Sequence, residues 1–290
     1  FVPDSVLGSG SIRPNTPQPD DFELYLLHLA TEYVSATKDV GFLFEQVHAY
    51  GETSTHSVLS ALLEAQNFTL TTVGTGPHGL LRLLSSDWDD GFKPPAAAEP
   101  VAESVLTSAL AAYVLPRWAA LLRSLPHADA GLEQAAAAAA EFGKGLKGAI
   151  FEQAWNGRWL RRAWLGPDDK WVGTSPAEAS VNGTNVTLYS AQVGWALLAG
   201  VFDGHEAEEA TQVDELHQQC RDGQGWALGF GYRCNNSADP RPGSGMWPAV
   251  NHVTLMGLAA VNRSEDAWTE FLRNSLHWQS SVYPQHWLGQ

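Results

Sequence analysis

Between Gly74 and Phe92 three carboxylates, Asp87, Asp89 and Asp90, crowd around one indole, Trp88, and Gly91 closes the run. Carboxylates this close raise one another's pKa, and burial raises it further. An acid held in that way stays protonated near neutral pH and can hand its proton to a leaving group. The indole beside it offers a flat apolar face for a sugar ring. The same residue types also build an ordinary acidic surface turn, so the pattern alone leaves both readings open.

A second group lies in Ala154–Ala163, where Arg158, Arg161 and Arg162 alternate with Trp155 and Trp159 and lead to Trp164. Rings for stacking and guanidinium groups for hydroxyls would make a substrate rim of Trp155, Arg158 and Trp159. A surface hairpin with Arg–Trp packing uses the same residues. His78 reads as a structural hydrogen-bonder ahead of the acidic loop, and Asp87 as a cap on that loop through backbone amides. No Cys/His/Asp spacing suggests a metal site, and no Gly-rich loop follows a strand to suggest a nucleotide site.

Four stretches, in order, resemble glycoside hydrolase family 94, the cellobiose and chitobiose phosphorylases. Asp87–Gly91 resembles that family's Gly-Asp-Trp-Asn-Asp-Gly loop. Asp20-Asp21-Phe22-Glu23-Leu24-Tyr25-Leu26, running on to Thr37-Lys38-Asp39-Val40, resembles its helix ending in Thr-Gly-Asp. Glu103-Ser104-Val105 resembles its Gly-Glu-Ser-Val-Trp helix start, and Trp155–Ala163 its Trp-Asp-Gly-x-Trp-Tyr-x-Arg-Ala stretch. The resemblance implies that Asp90 is the general acid and that Trp88 lines the sugar subsite. Asp89 replaces the family's Asn. Against the Ser-Gly-x-Asp loop of other α/α-barrel glucosidases, Asp89 would be the acid instead. Gly243–His252 falls where the family has its Asn-Gly-Gly-x-Tyr-x-His-Ala segment, which implies substrate contacts for Trp247. The phosphate-binding His of that segment falls on Ala249, and His252, one helical turn later, is its stand-in. Gln192 and Trp195 fall near a Gln-Ser-Trp-Ala helix, with Gln192 a further substrate contact.

The elements that must position these residues read as helices. Residues 1–19 form a Pro-, Gly- and Ser-rich lead-in. A helix begins at Asp20-Asp21, with Phe22, Leu26, Leu29 and Tyr33 as its apolar stripe. Others follow over Ser54–Gln66, Glu103–Leu125 (kinked at Pro116), Ala130–Trp155, Asn185–Val201, Glu206–Arg221, Val250–Val261 and Glu265–His277. About eight helices and hardly any alternating strand pattern argue for an all-α fold. Apolar and amphipathic helices take turns, as in the inner and outer layers of a toroid. With the resemblance this implies an (α/α)6 barrel over residues 20–290, incomplete in this chain, with the C-terminal part of the barrel present. The remainder of the polypeptide, or another chain, is expected to complete it.

Net charge is −15 over 290 residues, with no basic stripe, so neither nucleic acid nor an anionic membrane surface is an expected partner. No apolar run approaches the length of a transmembrane helix. Asn67, Asn182, Asn185, Asn235 and Asn262 all sit in Asn-x-Ser/Thr sequons. They point to a secreted or lumenal glycoprotein. Cys220 and Cys234 are spaced to close a disulfide worth about 3 kcal/mol. The expected activity is an inverting phosphorylase or hydrolase of β-linked glucosides. It needs no cofactor beyond inorganic phosphate as co-substrate, and an oligosaccharide is its partner. The alternative from another class is a catalytically silent extracellular glycoprotein with a structural or carbohydrate-binding role.

Overall fold

The computed structural model describes residues 20–48, 54–88, 94, 100–126, 129–166, 171–173, 188–222, 248–275, 277 and 280. Eight α-helices dominate them: α1 (Phe22–Thr37), α2 (Val58–Asn67), α3 (Val105–Ser124), α4 (Ala130–Ala149), α5 (Val193–Leu198), α6 (Glu206–Leu216), α7 (Pro248–Ala260) and α8 (Ser264–Asn274). α1, α3, α5 and α7 pack side by side in chain order. α2, α4 and α8 each lie against the helix that precedes them. The fold is therefore all-α, in two layers of helical hairpins.

Layering follows from composition. α3 is the centre of the inner row: from Val105 to Leu122 only Tyr113, Pro116, Arg117 and Ala120 escape full burial. Its length and apolarity would let it cross a membrane, contrary to the reading that no such stretch exists; here it is the core helix, buried over most of its length. α4 packs along α3 through the small residues Ala136, Ala139 and Gly143. A Cβ on Gly143 would stand 2.9 Å from the Pro116 ring, so the alanine-rich run serves close helix approach. α4 then runs on as a π-helical turn, Ile150–Ala154.

α1 corrects the sequence reading. Leu24, Leu27, Thr31 and Val34 face the core, whereas Leu26, Leu29 and Tyr33 are exposed. The helix carries two apolar stripes of the same period, and tertiary packing chose the other one.

Among the described residues, five short strands accompany the helices. β1 (Gln46–His48) pairs antiparallel with β2 (Thr55–Ser57). β4 (Ala163–Trp164) is the centre of a three-stranded sheet, between β3 (Glu103–Ser104) and β5 (Trp171–Val172). That small sheet ends where α3 begins, and the site is built there.

Candidate active site

Ser104 marks the change from strand to helix. Its Oγ accepts the N–H of Thr107 at 3.1 Å, which is an N-cap on α3. Its hydroxyl donates to Asp87 Oδ2 at 2.7 Å. Arg162, which directly precedes β4, completes the arrangement. Nη1 donates to Asp87 Oδ2 at 2.6 Å and Nη2 to Oδ1 at 2.7 Å. Asp87, Ser104 and Arg162 have no exposed surface. Two parallel charge-assisted bonds fix both distance and orientation. The α3 N-terminus, with its unsatisfied amides, favours the carboxylate beside it.

The same end of the molecule holds two further acids, Asp20 and Asp21, again without exposed surface. The Asp20 N–H donates to Ser86 O at 3.2 Å, and Thr107 Oγ1 donates to Asp20 Oδ1 at 3.0 Å. Burial, followed by the charges of Asp87 and Asp21, pushes the Asp20 carboxyl well above the usual range. Thr107 and Arg162 oppose that shift without cancelling it. Tyr25 is pushed up by burial and then by Asp21, Asp87 and Asp20. Among the described residues this locality thus sets three carboxylates, Asp20, Asp21 and Asp87, beside the Arg162 guanidinium.

Trp88 follows the locked Asp87 and packs, half-buried, against Leu106, Ala191 and Val250. These come from α3, from the approach to α5 and from α7. Asp89, Asp90 and Trp247 lie outside the described residues.

Glu103 projects to the other face of β3, as strand alternation requires. Its Oε1 accepts the N–H groups of His78 (3.0 Å) and Leu80 (3.1 Å), and its Oε2 meets His78 Nδ1 at 2.5 Å. Burial raises the Glu103 carboxyl, and the bonds from His78 hold it back. The imidazole is flanked by Trp164 at 4.8 Å and Trp171 at 5.1 Å. His78 is thus a hydrogen-bonder that fastens the 76–80 turn to the sheet.

The arginine–tryptophan group does not assemble as one rim. Arg158 pairs with Glu215 of α6 (Nε to Oε1, 2.8 Å) and lies over the Trp159 ring. Arg161 lies over Trp171 and donates to Gln153 O. Arg162 turns inward to Asp87. Trp159 is buried, with its indole N–H donating to Gly173 O at 2.7 Å, so it is a core residue and no stacking platform. Trp155 stacks on Phe151 and meets Phe202 edge-on. Gln192 is buried, its amide donating to Leu160 O at 2.9 Å. That bond ties the start of α5 to the hairpin. His252 is exposed on α7, two residues beyond Val250 of the Trp88 seat.

The Asp87 side chain also reaches beyond its own loop, to Arg162 and Ser104. Sequence reasoning passed over Arg162 and Ser104 as a pair, although a Ser immediately ahead of an apolar run was an N-cap signal. Asn67 and Asn262 are both exposed. Asn182, Asn185 and Asn235 lie outside the described residues. Cys220 is buried, and Cys234 lies outside the described residues.

Two layers of helical hairpins, with buried acids gathered at the end of the inner row, are the architecture of an α/α-hairpin protein. The chain belongs to the glycosyl hydrolase 94 superfamily: residues 11–228 match its catalytic domain. The family is one of phosphorylase- and hydrolase-like proteins of carbohydrate metabolism that act on glycosides, with oligosaccharides as substrates. No curated protein matches the chain.

Proposed function

We propose that the protein is an inverting glycoside phosphorylase or hydrolase of β-linked glucosides, with Asp90 as general acid and Trp88 stacking on the sugar. Asp89 is the alternative acid. The acid protonates the glycosidic oxygen while phosphate, or an activated water, attacks the opposite face of the ring. A hydrolase needs a base about 6.5–9.5 Å from the acid, whereas a phosphorylase brings its own nucleophile. What carries the reading is the locked Asp87, which leaves Trp88 on a seat made by three inner helix ends and sends the chain on from there to Asp89 and Asp90.

The wider setting is part of the same proposal. The barrel spans residues 20–290 after a lead-in at 1–19, and is completed by further chain. The protein is secreted or lumenal, with a Cys220–Cys234 bond and glycans on the five sequons. The exposure of Asn67 and Asn262 supports the glycans.

The test incubates the purified protein with β-linked disaccharides of the cellobiose type, with and without phosphate. Sugar phosphate marks a phosphorylase and free glucose alone a hydrolase. Asp90→Asn should abolish either product while leaving the thermal melt unchanged. Loss in Asp89→Asn, with Asp90→Asn active, would move the acid to Asp89. No product from wild-type protein under either condition leaves the silent glycoprotein standing.

A further inference from the structure

We propose that Arg162 is a positioning residue for the acid loop, acting through Asp87 and not on the substrate. The inference rests on the reading that the acid lies just beyond Trp88.

The anchor has three attachments. The Arg162 fork grips both Asp87 oxygens, and Ser104, itself fixed as the α3 cap, grips one of them. The backbone of the preceding residue, Ser86, is held by the Asp20 N–H. Arg162 is held in turn on its own main chain: its N–H donates to Val172 O at 2.7 Å, and its carbonyl accepts from Val105 N at 3.1 Å. The guanidinium is thereby fastened to the sheet and to the first turn of α3 before it meets the loop. Asp90 is three residues past Asp87, a reach of about 10 Å at most. An acid must be held within a fraction of an ångström of the leaving oxygen, and a 1 Å displacement can cost about 100-fold in rate.

Charge requires the same residue. Asp20, Asp21 and Asp87 are wholly buried together, and Arg162 is bonded to Asp87 and lowers the Asp20 carboxyl through its charge. A lysine at position 162 keeps the charge but meets one oxygen as a point donor, so it retains neutralisation and loses orientation.

The experiment compares Arg162→Lys with wild-type protein, and with Arg123→Lys as a control at the solvent-exposed Arg123–Glu133 pair. It measures kcat, KM, thermal melting, and amide exchange in peptides covering Leu84–Trp88. Arg162→Lys should lower kcat by about 100-fold with KM changed by less than about threefold, because the loss falls on the transition state. Exchange across Leu84–Trp88 should quicken, while Arg123→Lys matches wild type in all four. A folded Arg162→Lys with wild-type kcat and wild-type exchange overturns the proposal, since a merely structural ion pair would move the melt alone. If Arg162→Lys does not fold, the charge-free pair Asp87→Asn with Arg162→Gln takes its place. It should fold and remain at least about tenfold slow, and full recovery of kcat overturns the proposal. If the wild-type protein turns over no glycoside, the reading of function has failed on its own. The exchange result then decides the anchor: faster exchange upholds it, and unchanged exchange overturns it.

Discussion

Asp20 shows how the charge of the site is balanced one residue at a time. Its carboxyl is raised by burial first and by Asp87 and Asp21 next, so the folded protein binds a proton that the unfolded chain, with a pKa of about 3.9, gives up readily. The stability this proton confers is present in full below the unfolded pKa. It is lost as pH rises through the raised folded value. Asp20→Asn, which keeps an acceptor for Thr107, should therefore melt like wild type near pH 4 and increasingly above it toward pH 8. Melting curves across that range check it, and a constant offset between the two proteins would mean that Asp20 titrates normally. Breaking the buried Asp87–Arg162 pair from one side by Arg162→Ala should act oppositely, costing about 3–5 kcal/mol by leaving a carboxylate unpaired. A denaturant titration reads that loss. At this scale the sequence exposed the acids and the indole but not their partners. Arg161 and Arg162 look alike on paper. Consecutive side chains of extended backbone leave on opposite sides, sending one guanidinium over Trp171 and the other into the core.

α4 shows what the helices require of small residues. Gly143, Gly145 and Gly148 lie within six residues of one another, and Gly→Ala inside a helix normally gains about 0.5–1 kcal/mol. At Gly145 and Gly148 a Cβ would meet nothing within 4 Å, so both alanine variants should be stabilised by that amount. At Gly143 the new methyl would meet Pro116 Cδ at 2.9 Å and Cγ at 3.1 Å. A proline ring inside a helix cannot turn aside, and overpacking costs about 1–3 kcal/mol. Gly143→Ala should therefore be destabilised by about 1 kcal/mol net. Urea midpoints at constant m-value distinguish the three, and a stabilised Gly143→Ala would show that α3 and α4 can part without strain. The number and order of the helices were legible from apolar residues at helical spacing, but two starts were not: residues 188–192, read as helix, only lead into α5, and Thr55–Ser57, read as helix, form β2. The buried side of α1 was not legible. Leu24, Leu27 and Val34 repeat with the same period as Leu26, Leu29 and Tyr33, and only the neighbouring α3 decides between them.

Across the whole molecule, the alternation of apolar and amphipathic helices in the sequence did foretell two layers. It did not reveal how closely the inner row is drawn together. α5 and α7 meet backbone to backbone. A Cβ on Gly194 would stand 2.6 Å from both Thr254 N and Val253 C, and one on Gly257 would stand 2.8 Å from Gly194 O. These contacts are with main chain, which cannot move aside as a flexible side chain can. The spacing they set is also the spacing of the Trp88 seat, since Ala191 enters α5 and Val250 opens α7. Gly194→Ala should therefore push α7 outward and widen that seat from the far side of the crossing. Its cost should reach the upper end of the overpacking range, about 3 kcal/mol. Any glycoside turnover should fall at least tenfold, because a ring that stacks on the sugar must keep its place. Gly148→Ala, on the outer layer, should leave turnover at the wild-type level. Thermal melts paired with turnover assays on the two variants test the link. Gly194→Ala with a lowered melt and unchanged turnover would mean that the inner row holds the fold together without holding the sugar site.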